Sequence, residues 1–100
     1  MEKVVVFFNS PEFTFKDYDR SWDEIRAAGH ANPKGLLSHV GFASPDGGWM
    51  VVDVWESGQA FAEFGEILLP IIQKAGVNFP EPKIIPVHYF YQAQAEHELA

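Results

Sequence analysis

Apolar residues along this chain fall into six blocks, and the spacing inside each block implies an element. Lys3 to Phe8 (KVVVFF) is a short β-branched and aromatic run, which predicts a strand apolar on both faces. Asn9, Ser10 and Pro11 are expected to end it. From Phe15 the period changes. Phe15, Tyr18, Trp22, Ile25 and Ala28 recur at helical spacing, while Lys16, Asp19, Arg20, Asp23 and Arg26 fill the other positions. Thr14 and Asp17 have capping-box spacing, and Phe13 and Tyr18 are placed for a hydrophobic staple. The helix therefore starts at Thr14, and Gly29 suits the left-handed residue that ends it.

After a loop at His30 to Lys34, Gly35 to Ala43 predicts a second strand and Trp49 to Trp55 a third. Between them lies Ser44-Pro45-Asp46-Gly47-Gly48. Pro45 and Asp46 suit the centre of a type I turn, and Gly47 the left-handed position of a following bulge. Ser57 can cap a second helix running to about Ala75, with Phe61, Phe64, Leu68, Ile71, Ile72 and Ala75 as its stripe. Pro70 should kink this helix and Gly76 should close it. Asn78 to Pro82 reads as an irregular connector and Lys83 to Tyr91 as a fourth strand. Pro86 within that strand marks it as a sheet edge.

The order β-α-β-β-α-β is that of a ferredoxin-like α+β domain, one antiparallel four-stranded sheet with two helices on one face. Residues 1–91 form this single domain, and 92–100 form a polar C-terminal tail. The strands are apolar on both sides, so the face without helices needs a cover. A second copy of the same sheet is the most economical one, which leads to the expectation of a homodimer.

Counting outward from the turn gives the hairpin register. With Pro45-Asp46-Gly47 as the loop, Gly41 faces Val51, His39 faces Asp53 and Leu37 faces Trp55. One face then carries Leu37, His39, Gly41, Ala43, Trp49, Val51, Asp53 and Trp55. The other carries Leu36, Ser38, Val40, Phe42, Met50, Val52 and Val54, and its aliphatic character suggests the surface packed on the helices. The mixed face suits a cavity with apolar walls and a few polar groups. An imidazole opposite a carboxylate can be oriented by it and act as a general acid or base. The same pair can also be a purely structural cross-strand hydrogen bond, and both readings stay open.

Composition adds limits. The 100 residues carry a net charge of −7 with no basic cluster, which argues against nucleic acid and anionic membranes as partners. Without cysteine there is no disulfide or thiolate chemistry. The apolar N-terminal run is too short for a signal peptide, so a cytoplasmic protein is expected. Fifteen aromatic residues, nine Phe, three Trp and three Tyr, exceed what one small core requires and suggest oligomerisation or an apolar pocket. Trp49 and Trp55 are candidate walls of such a pocket, and His88 on the fourth strand is a further candidate lining residue. His30 suits a helix C-terminus, and His97 lies in the tail. His39, Asp53 and His88 come from separate strands with no short-range ligand motif, so the reading calls for no metal and no cofactor.

A strand ending VVDVWES followed by a helix beginning SGQAFAEF, in this element order, resembles the dimeric α/β-barrel superfamily. Within it, the chain is most similar to the antibiotic-biosynthesis-monooxygenase-like group. The resemblance covers about residues 3 to 91, and its most recognisable part is W-E-S-x-x-x-F from Trp55 to Phe61. It implies a homodimer whose two sheets face each other, with a pocket between each sheet and its helices or inside the barrel. The group includes cofactor-independent monooxygenases of polycyclic aromatic substrates and haem-degrading monooxygenases. The haem-degrading pattern needs an Asn on the first strand, a Trp in the second helix and a His about ten residues later. Asn9 matches the first only approximately, Phe64 stands at the Trp position and Lys74 near the His position, which speaks against haem. The implied function is a small-molecule enzyme of the cofactor-independent kind, acting on an apolar or aromatic substrate through His39 and Asp53. The alternatives are a non-catalytic ligand-binding or structural homodimer, and an isomerase or lyase on the same barrel.

Overall fold

The computed structural model of the chain describes residues 2–74, 76 and 81–93. Its elements are β1 (Val4–Ser10), α1 (Phe15–Ala27), β2 (Leu36–Ala43), β3 (Trp49–Trp55), α2 (Gly58–Lys74) and β4 (Lys83–Pro86). The strands form one antiparallel sheet in the order β2-β3-β1-β4, so β2 and β4 are the edges. This is the ferredoxin-like arrangement that the element order implies.

Local chemistry sets most of the boundaries. Thr14 caps α1: its hydroxyl accepts from the Asp17 amide, and the Asp17 carboxylate accepts from the Thr14 amide at 3.0 Å. Gly29, at φ 88°, turns the chain out of the helix as His30 N–H donates to the Ile25 carbonyl. Ser57 caps α2, its Oγ accepting from the Ala60 amide at 3.1 Å. In the hairpin, Gly47 N–H donates to the Ser44 carbonyl and Ser44 N–H to the Gly48 carbonyl. Gly47 sits at φ 95°, as a bulge after a type I turn requires.

Other boundaries depend on partners. β1 runs on through Asn9 and Ser10, because β3 offers Met50 and Trp49 opposite them. β4 stops at Pro86 rather than at Tyr91. Pro86 lies opposite Val4, where β1 begins, and beyond it the backbone makes one further bond, from Val87 N–H to the Lys3 carbonyl. The helix α2 continues past Pro70 to Lys74. Ala75 and most of the connector Asn78 to Pro82 lie outside the described residues, as do residues 94–100 of the tail.

The register of the hairpin differs from the counted one at its open end. His39 pairs with Asp53 and Gly41 with Val51, as counted, but an irregularity between Leu36 and Ser38 places Leu36, not Leu37, opposite Trp55. The assignment of the two faces reverses as well. The mixed face packs under the helices, with Val51, Asp53 and Trp55 buried there alongside Val4, Val6 and Phe8 of β1. The aliphatic face is the bare one: Val40 is 55% exposed, and Phe42 and Ile85 are exposed with it. The physical reason is that both faces are apolar, so alternation alone does not say which points inward. On the inward side the polar pair is satisfied: Asp53 bonds His39 and Trp55 within the sheet, and α1 adds Tyr18 against His39. On α1 itself, Ser21 and Ile25 are buried, whereas Phe15 and Ala28, expected on the apolar stripe, are exposed. Ser21 tolerates burial because its hydroxyl donates to the Asp17 carbonyl at 2.9 Å.

Candidate active site

Between the sheet and the two helices lies a small cavity of about 40 Å³, bordered by His39, Asp53, Trp55, Tyr18, Trp22 and further apolar side chains. His39 and Asp53 reach it from directly opposed positions of β2 and β3. His39 Nδ1 is 2.5 Å from Asp53 Oδ1. The other carboxylate oxygen, Oδ2, accepts from Trp55 Nε1 at 3.2 Å. Asp53 is buried, and these two donors replace the water that a carboxylate gives up on burial.

The donor inventory assigns the ring. An ionised carboxylate only accepts, so the proton between the two groups is on His39 Nδ1. With the ring neutral, Nε2 is an acceptor and faces the Tyr18 hydroxyl at 2.5 Å. In that tautomer Tyr18 donates to His39, which donates to Asp53. The two rings lie nearly parallel, at 6° with centroids 5.8 Å apart, and the edge of Trp22 closes against His39 at 5.1 Å. Burial raises the Tyr18 phenol above its ordinary value of 10.0, and the negative charges of Asp53 and Asp19 act in the same direction. A hydrogen bond from Trp22 and the charge of Arg26 oppose this. The group is therefore a neutral phenol at physiological pH.

Gly41 makes room for this arrangement. A Cβ at that position would stand 2.7 Å from Tyr18 Cζ and 2.8 Å from its hydroxyl. The absent side chain is the notch in which the tyrosine ring rests on the sheet. Tyr18 of α1 thus fills the space that Gly41 leaves on the mixed face.

Of the other sequence-derived candidates, Trp55 borders the cavity and holds Asp53. Trp49 packs against Tyr18 with ring centroids 5.1 Å apart. His88 follows the end of β4, is exposed, and does not line the cavity, so it stands apart from this site. The residue that sequence reasoning missed is Tyr18. In the sequence it is one member of an apolar helical stripe, and nothing in its spacing distinguishes a packing tyrosine from one that bonds a strand residue 21 positions away. Its one sequence signal was the Gly41 gap opposite. Among the described residues no group of three or more His, Cys, Asp or Glu side chains is arranged to hold a metal. No helix among them is long and apolar enough to cross a membrane.

No protein-family model matches the chain, and no curated protein matches it. Solved structures do. SnoaB from Streptomyces nogalater, a cofactor-independent oxygenase, superposes with a TM-score of 0.56 at 16% identity, over 88% of this chain and 93% of that one. The ActVA-Orf6 monooxygenase of Streptomyces coelicolor, solved with nanaomycin D, gives a TM-score of 0.49 at 22% identity, over 92% of this chain and 89% of that one. A dimeric ferredoxin-like protein of unknown function from a Jannaschia species gives 0.48 at 13%, over 89% and 100%. The SnoaB likeness establishes a shared fold, and at this identity it extends no further than the fold.

Proposed function

We propose that this protein is a small-molecule enzyme of the cofactor-independent oxygenase kind, whose chemistry is acid–base work on an apolar or aromatic substrate. One observation carries the reading: His39, held by Asp53, borders a cavity between sheet and helices in a fold shared with a cofactor-independent oxygenase. In this reading His39 is the base that receives a substrate proton. Asp53 fixes its tautomer and stabilises the imidazolium that forms, and Trp55 and Trp22 are walls of the cavity. A substrate anion formed in a dry pocket is the species that reacts with oxygen without a metal or flavin. The same pair would also serve an isomerase or lyase.

The cavity of about 40 Å³ holds a few water molecules and no aromatic ring. Substrate binding therefore requires its wall to open. This small volume, and the fact that both ring nitrogens of His39 are already bonded, favour the rival reading of a non-catalytic homodimer with a structural His39–Asp53 pair. In either reading the bare apolar face is covered by a second copy of the chain.

The deciding experiment is a thermal-shift screen of aromatic phenols and quinones, followed by assay for oxygen-dependent turnover, on the wild type and His39→Ala. Ligand stabilisation with turnover lost in the variant supports the enzyme. Binding equal in both proteins, with no turnover that depends on His39, removes it.

A further inference from the structure

The group that meets the substrate need not be the group that ends up with its proton. His39 Nδ1 is taken by Asp53 and Nε2 by Tyr18, so a substrate reaching the cavity cannot contact the imidazole without first displacing the phenol. Tyr18 and Trp22 also border a second space. With Asp19 and Arg26 they line an open surface depression of about 290 Å³. The same two aromatic residues thus border both the depression and the interior cavity.

We propose that Tyr18 is the residue that touches the substrate, and that it relays a proton from an aromatic or enolic hydroxyl to His39. The substrate approaches from the depression that Tyr18 and Trp22 border, and its O–H points at the Tyr18 oxygen. The substrate O–H bond breaks as a new O–H bond forms on Tyr18. The original Tyr18 O–H bond breaks in turn as an N–H bond forms on His39 Nε2. The products are a delocalised substrate anion and an imidazolium facing the Asp53 carboxylate, with no net change in atoms or electrons. The hydroxyl must be on a conjugated ring, because only a delocalised anion can form opposite a single histidine. The raised phenol supports this role, since Tyr18 remains neutral until a proton arrives to replace the one it passes on. Gly41 is what permits the ring to stand where it does.

This inference rests on the acid–base reading above, and 4-nitrophenol tests the two separately, because its ionised form is coloured. The wild type is expected to bind the probe and to produce the phenolate colour at a pH where the free probe is protonated. Tyr18→Phe, which keeps the ring, should retain binding but return the colour to the level of the free probe, as should His39→Gln. If Tyr18→Phe ionises the probe as well as the wild type while His39→Gln does not, the relay is overturned and direct contact with His39 survives. If the folded wild type neither binds nor ionises the probe, the relay and the acid–base reading both fall.

Discussion

His39 and Asp53 occupy directly paired positions of β2 and β3, with Nδ1 of one 2.5 Å from Oδ1 of the other. Backbone pairing brings them together, and the burial of Asp53 makes the contact matter. A buried carboxylate that satisfies both a ring nitrogen and the Trp55 indole holds three side chains in one arrangement.

Asp53→Asn tests that arrangement. An amide can accept from only one of the two donors and presents its own N–H to the other. The variant is expected to lose about 1–3 kcal/mol of stability in urea unfolding. Nitrogen NMR of the ring should also show that His39 no longer carries its proton on Nδ1 alone. Unchanged stability together with an unchanged ring spectrum would mean that the carboxylate does not set the tautomer.

Alkaline pH tests Tyr18. Its pKa is raised above 10.0 by burial and the nearby carboxylates, with Trp22 and Arg26 opposing. The folded state thus holds the phenolic proton more tightly than the unfolded chain. The associated stability is fully present below pH 10.0 and is lost as pH rises through the raised value. The stability gap between the wild type and Tyr18→Phe should therefore narrow as pH climbs past that point. A gap that widens there would contradict the burial of this group.

Gly41→Ala places a methyl 2.7 Å from Tyr18 Cζ. Overpacking of this kind costs about 1–3 kcal/mol. The expected cost disappears in a Tyr18→Ala background, where the notch is empty, so a double-mutant cycle by chemical unfolding reads the contact directly. Equal costs in both backgrounds would locate the strain elsewhere.

Val40→Glu addresses the bare face. Val40 is 55% exposed on the aliphatic side of the sheet, remote from the His39 side chain on the opposite face. If two sheets cover each other, the charge should convert a dimer to a monomer in light scattering while leaving the far-ultraviolet circular dichroism unchanged. A wild type that is already monomeric at micromolar concentration would end the argument for a covered sheet.

The order of elements, the Thr14 and Ser57 caps, the turn at Gly47 and the pairing of His39 with Asp53 were all legible along the chain. Each rests on residues close in sequence or on a count from a tight turn, where local geometry leaves little freedom. The inward face, the slip at Leu36, the early end of β4 and the place of Tyr18 were not legible. A strand apolar on both sides is consistent with either orientation. Only the packing of the helices selects one, with Tyr18 of α1 meeting the second ring nitrogen of His39. For the same reason the sequence by itself identified the two residues that form the pair, while the tertiary structure decided that a tyrosine from a distant helix completes the site.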